Sequence, residues 1–150
     1  MENIMSDTPS HTLMRPKAPK KARNRRRIVN EGHLKMIRQL PCILSGREAE
    51  AAHISYGDLD HEKPHNAMGI KADDCYVIPL CPELHRLANG SQHDCGEREW
   101  WWQFGIDPIE VAARLWNCGR NHNAMIDVVN SVQLSSDARS RVLAILKGNR

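Results

Sequence analysis

Tyr76-Val77-Ile78-Pro79-Leu80-Cys81-Pro82-Glu83-Leu84-His85-Arg86-Leu87 is the stretch whose reading decides the fold. Its first half is apolar and rich in β-branched residues, which predicts a short strand. Pro79 has no N–H to give a ladder, so the strand belongs at an edge or an end. Pro82 suits the first turn of a helix, so the second half predicts a short helix carrying Glu83, His85 and Arg86.

Upstream, Ala51-Ala52-His53-Ile54 is a second short apolar segment, set off by the turn Ser45-Gly46-Arg47. Between the two segments, residues 55–74 are rich in Gly, Asp, Pro and His, which predicts a long loop. Loops of that length in compact domains usually carry function or move. Before them, Asn30 can cap a helix over about 31–40, with Leu34, Ile37 and Leu40 on one face and Pro41 stopping it. Downstream, Glu97–Phe104 reads as a helix ended by Gly105. Asp107-Pro108 reads as an N-cap with Pro at the first helical position of the next. Two more helices are expected near 123–132 and 136–147. The predicted class is α+β: a small hairpin, a helix after it and additional helices at the C-terminal end.

The chain has 150 residues, 41% of them hydrophobic, which suits one domain. Its formal net charge of +3 is unevenly placed. Residues 1–27 hold eight Lys/Arg against two acids; the remainder is acidic by three. The run Lys20-Lys21-Ala22-Arg23-Asn24-Arg25-Arg26-Arg27, among prolines and polar spacers, predicts a disordered basic arm over 1–27 and a single domain over 28–150. Lys20, Lys21, Arg23, Arg25, Arg26 and Arg27 are candidates for phosphate contact, which is electrostatic and blind to sequence; the plainer reading is a solubilising tail. No apolar run approaches the roughly 20 residues of a membrane span, and no apolar leader opens the chain, so a cytoplasmic protein is the default. The five cysteines are odd in number and show no framework, so metal ligation or buried thiols fit better than disulfides.

Eight histidines is a high count. His53 ends the first apolar segment, His85 follows Cys81 by four residues, and His93 comes next. Hydrolysis of a phosphodiester needs a cation to neutralise charge on the phosphate and a base titrating near neutrality to activate water. Two His on or near one helix can hold a metal and a third on the facing strand can be the base. Taken singly, any of them reads as a surface residue, as His61, His65 and His122 do. Trp100-Trp101-Trp102 suggests base stacking, but consecutive helical positions diverge, so one or two are expected in the core. The loop around Met68-Gly69, with Lys63, Lys71 and His65, either touches DNA or is mobile.

Further matches run in order along the chain: Leu40-Pro41-Cys42, Ala51-Ala52-His53-Ile54, Tyr56-Gly57-Asp58, Met68-Gly69-Ile70-Lys71-Ala72-Asp73-Asp74 and Val77-Ile78-Pro79-Leu80-Cys81. They continue through His85-Arg86-Leu87, Gln92-His93, Gly96-Glu97-Arg98, Trp101 and Gly105-Ile106-Asp107-Pro108. Over about 34–117 the sequence resembles a phage and prophage family of HNH endonucleases, similar to the recombination-enhancement nuclease Ref; the basic arm and about 118–150 lie outside the resemblance. It implies a ββα-metal core and a DNA endonuclease or nickase encoded by a phage or its bacterial host. It implies His53 as general base, His85 and His93 as ligands of Mg²⁺, Mn²⁺ or Zn²⁺, DNA as partner, and a recombinase beside it. Asp74 would brace the loop or approach the metal; Asp58, or solvent, would fill a further ligand place. The alternative is a catalytically decayed scaffold serving as a DNA-binding accessory protein in recombination.

The sequence departs from that pattern at three places. Ala52 stands where many HNH proteins have a metal-binding His or Asp, so His53 itself is a possible ligand. Tyr76 stands where the motif's Asn is expected. Two Cys-x-x-Cys knuckles are reduced to Cys42-Ile43-Leu44-Ser45 and Cys81-Pro82-Glu83-Leu84. Two thiolates seldom hold zinc alone, so no structural zinc is expected there, and Leu44 and Leu84 are expected to rebuild the half-site as apolar core.

Overall fold

The computed structural model describes residues 26–66 and 69–148. In chain order these form α1 (Glu31–Ile37), β1 (Glu50–His53), β2 (Val77–Leu80), a π-helical turn (Glu83–Leu87), α2 (Glu97–Trp102), α3 (Pro108–Asn117), α4 (His122–Ser131) and α5 (Ser136–Lys147). The architecture is mixed α+β: one two-stranded antiparallel sheet among several helices. No helix among the described residues is long and apolar enough to cross a membrane.

The strands pair Glu50 with Leu80, Ala51 with Pro79, Ala52 with Ile78 and His53 with Val77. With two strands, both are edges, so Pro79 breaks no central ladder. Its carbonyl accepts from the Ile43 N–H at 3.0 Å, which ties the preceding turn to the sheet. A two-stranded ribbon is marginal alone. Here α1 packs against both strands, α3 against β2, and α5 against the π-helical turn. Ile37, Leu40, Ile54, Ile78, Leu80, Leu84, Trp100, Trp101, Ile109, Leu115 and Met125 form the core between them. Each fully buried Leu or Ile contributes about 1.5–3 kcal/mol.

Local signals set the helix starts. The Asn30 side chain accepts from the His33 N–H at 3.0 Å and opens α1. Asp107 accepts from the Ile109 and Glu110 N–H groups and opens α3, with Pro108 first in the helix. Gly105 sits at φ 67°, the left-handed conformation that ends the turn after α2. Helix α1 stops at Ile37, three residues short of the expected end, and finishes as tight turns into Leu40. Of the three tryptophans, Trp100 and Trp101 are buried and Trp102 is 73% exposed.

The segments Cys42–Ser45 and Cys81–Leu84 meet in the core. Cys42 and Cys81 are both buried, and the Ser45 hydroxyl lies 3.5 Å from Cys81 Sγ. Leu44 and Leu84 are buried in the same cluster. Lys63 corrects one expectation. It is 2% exposed, its Nζ donates to the Tyr56 carbonyl at 2.5 Å and lies over the Tyr76 ring. A lysine folded onto its own loop in this way is not offered to DNA.

Candidate metal centre

Two clusters of side chains stand on the hairpin. The first begins with His85, which the π-helical turn projects toward β1. Its Nδ1 meets Glu50 Oε1 at 2.5 Å. The Arg86 guanidinium grips the same carboxylate through both oxygens, at 2.9 and 3.1 Å. The other ring nitrogen, Nε2, faces His93 Nε2 at 3.1 Å, with the rings nearly perpendicular. His93 is brought there by a backbone bond from its N–H to the His85 carbonyl, and by Gln92 N–H donating to the Leu84 carbonyl. His85 is half-buried and His93 exposed. Burial pushes the His85 imidazole below its usual value; the Glu50 bond opposes this and the facing His93 adds to it. Burial pushes Glu50 up, but Arg86 and His85 outweigh it and hold the carboxylate low.

The second cluster is built on Asp74, which is fully buried just before β2. Its Oδ1 meets His53 Nε2 at 2.9 Å and accepts from Arg27 at 2.5 Å, while Oδ2 accepts from the Asn30 N–H at 2.8 Å. Burial pushes Asp74 up; the His53 bond, the Asn30 amide and the Arg27 charge together hold it below the usual carboxylate range. An ionised Asp74 can only accept, so His53 donates from Nε2, and in the neutral ring the lone pair then lies on Nδ1. This carboxylate–imidazole pairing sets the tautomer a general base needs.

Of the expected site residues, the structure joins His85 to His93 and, separately, His53 to Asp74. Successive strand residues point to opposite faces, so Glu50 and His53 leave β1 on different sides. Among the described residues no three of His, Cys, Asp and Glu gather as a metal cage. Asp58 is engaged elsewhere: it accepts from the Asp60 and His61 amides, and its carboxylate faces His61 Nδ1 and Arg98. His61, read singly as a surface residue, also reaches Asp107 through Nε2 at 3.3 Å. Lys20, Lys21, Arg23 and Arg25 lie outside the described residues. Arg26 is exposed. Arg27 is not a free arm residue: its guanidinium binds Asp74 and the Ala72 carbonyl, because a buried carboxylate needs a countercharge.

Glu50 and Arg86 were not among the expected site residues. Glu50 adjoins the apolar segment Ala51–Ile54 and is separated from His85 by 35 positions; only the hairpin register places them together.

A family described as "Protein of unknown function (DUF968)" matches residues 2–115. The chain belongs to this family. The match takes in the basic N-terminal stretch, and it ends within α3, leaving α4 and α5 beyond it. No curated protein and no solved structure matches the chain. Both clusters, from Arg27 to His93, therefore fall inside the DUF968 match.

Proposed function

We propose that this chain is a metal-dependent DNA endonuclease or nickase of the HNH type. One observation carries the reading: His85 and His93 turn their Nε2 atoms to within 3.1 Å of each other. Two nitrogen ligands at about 2.0–2.1 Å from one cation stand about 3.0–3.4 Å apart. The pair thus fits half of a coordination shell, leaving open positions for water and substrate. Glu50 on His85 Nδ1 supplies the outer carboxylate that usually orients a metal-binding imidazole. Bound there, Mg²⁺, Mn²⁺ or Zn²⁺ would offset charge on the phosphate and on the departing oxygen.

His53, its Nε2 held by Asp74, has the tautomer a base needs, and this reading requires its Nδ1 to reach the water attacking a phosphate at the histidine pair although it leaves β1 on the other face from Glu50. Asp74, Asn30 and Arg27 position it and touch no substrate. The hairpin followed by a helical turn bearing His85 supports a ββα-metal core, and the resemblance to phage HNH proteins supports DNA as substrate. Arg26 and the basic stretch before it suit phosphate contact, and a recombinase partner belongs to the same reading.

A second reading has one observation in its favour: no third ligand joins the histidine pair among the described residues. On that reading the chain binds DNA as an accessory scaffold without cutting it. Supercoiled plasmid incubated with Mg²⁺, Mn²⁺ or Zn²⁺ separates the two. Nicking that disappears in His53→Ala and in His85→Ala supports the nuclease; DNA binding with no cutting in any metal overturns it.

A further inference from the structure

A cavity of ≈ 270 Å³ opens between the start of α1 and the turn after α3, lined by Asn30, His33, Met36, Trp116, Gly119 and Arg120 among others. His33 is 5% exposed, and its Nε2 is buried with no hydrogen-bond partner. Its ring meets the Trp116 ring edge-on at 4.9 Å. Arg120 is exposed and makes no ion pair or hydrogen bond with any described residue. The lining holds an imidazole, a guanidinium and an indole; the nearest carboxylate the structure couples to it is Asp74, which acts on His33 from behind and is neutralised by Arg27.

A buried polar atom left unsatisfied is costly and rare in native proteins, and it commonly marks a missing partner. Arg120, solvated on the rim of the same cavity, is free to meet an anion there. The Arg120 fork matches the oxygens of a phosphate. Trp116 and Met36 are the apolar part of the lining, and an indole is a side chain on which a base can stack. The volume falls just below the ~300–1,000 Å³ of pockets for drug-sized ligands, a scale that fits one nucleotide and not a duplex.

We propose that this cavity is a nucleotide-binding site, with the phosphate on Arg120 and the base against Trp116, beside the buried His33. The phosphate can come from a free nucleotide or from one unit of a DNA strand. The site is independent of the histidine pair and does not require the nuclease reading.

The test is calorimetry and amide NMR on the full chain with deoxycytidine 5′-monophosphate, deoxycytidine, inorganic phosphate and a short single-stranded oligonucleotide without terminal phosphates. The monophosphate is expected to saturate the protein and to shift the amides of Asn30, His33, Gly119 and Arg120. Deoxycytidine and inorganic phosphate should each bind at least about tenfold more weakly. Arg120→Ala, an exposed change that leaves the core alone, should weaken the monophosphate about tenfold or more. Displacement of the monophosphate by the oligonucleotide assigns the site to a DNA strand, and failure to displace it assigns the site to free nucleotides; either supports the proposal. Absence of saturable binding, equal affinity in Arg120→Ala, or inorganic phosphate binding as tightly as the monophosphate overturns it. His85→Ala should retain monophosphate binding whether or not it cuts DNA, which keeps this result separate from the nuclease test.

Discussion

His93 Nε2 stands 3.1 Å from His85 Nε2, while Glu50 occupies the opposite nitrogen of His85. The arrangement predicts a graded response to mutation. His85→Ala and His93→Ala should each abolish measurable binding of Mn²⁺ or Zn²⁺ by calorimetry. Glu50→Gln should weaken it about 10–100-fold, the usual effect of losing an outer carboxylate. Arg86→Ala should cost less, because Glu50 still reaches His85. Metal affinity unchanged in His93→Ala would remove the pair from consideration as a metal centre.

Asp74 acts on His53 from a fully buried position, so its charge and its shape can be separated. Asp74→Asn keeps the size but can present its NH₂ to His53 Nε2, favouring the wrong tautomer. Plasmid nicking should fall by at least about 10²-fold, the scale of general-base catalysis, with little change in DNA affinity. Asp74→Ala should instead destabilise the fold by about 3–5 kcal/mol, since Arg27 and the Asn30 amide lose their common acceptor. Urea denaturation and a gel-shift assay distinguish the two outcomes. Equal nicking by Asp74→Asn and the parent would show that Asp74 only holds the arm to the domain.

Much of the scaffold was legible because it is written locally. Asn30, Asp107-Pro108 and Gly105 each mark a helix boundary by chemistry confined to a few residues. The two short apolar segments, Ala51–Ile54 and Tyr76–Cys81, likewise mark the hairpin. The wiring of the site was not legible in the same way. Arg27 lies in a run of charges and reads as part of a solvated arm; its partner Asp74 is 47 residues away. Glu50 is one acidic residue beside an apolar segment, and only the pairing of Glu50 with Leu80 brings it under the π-helical turn. His33 carried no motif, and its burial depends on Trp116 arriving from α3. Spacing alone groups His53, His85 and His93 as one constellation. The opposite-facing side chains of β1 divide them into a pair and a single.

Two titrations should make the fold sensitive to acid in separate windows. Burial lowers the His33 pKa from its ordinary 6.5, with Asp74 pulling the other way, and burial lowers His85 in the same sense. Below about pH 6.5 the unfolded chain therefore binds a proton that the folded chain resists, and stability falls until the folded value is passed. Asp74 is also lowered, from 3.8, so its contribution is present above that value and is lost as pH falls through the lower folded one. Urea midpoints measured between about pH 7.5 and 3 should show two declines. His33→Phe, which keeps a ring against Trp116, should shrink the upper decline to the share that His85 contributes and leave the lower one in place. An unchanged upper decline in that variant would assign it to another group.

The meeting of Cys42, Cys81 and Ser45 makes a structural metal site recoverable. The Cys81 bond draws the Cys42 thiol down to about 5 against the effect of burial, with Ser45 assisting, while Cys81 is pushed up by the same pairing. Ser45 Oγ already stands 3.5 Å from Cys81 Sγ, close to the ~3.8 Å edge of a zinc tetrathiolate built on Zn–S bonds of about 2.3 Å. Ser45→Cys with Leu84→Cys restores both Cys-x-x-Cys spacings around a cluster that already converges. The double variant should bind one zinc per chain by metal analysis. Without metal it should be less stable than the parent, since the buried Leu84 is lost. With zinc its Tm should rise by at least ~5 °C over the apo form and fall back on chelation. Failure of the double variant to take up zinc would mean that the backbone around Leu44 and Leu84 has closed into apolar packing too far to readmit four sulfurs. The two half-knuckles would then be related to a zinc site by spacing alone.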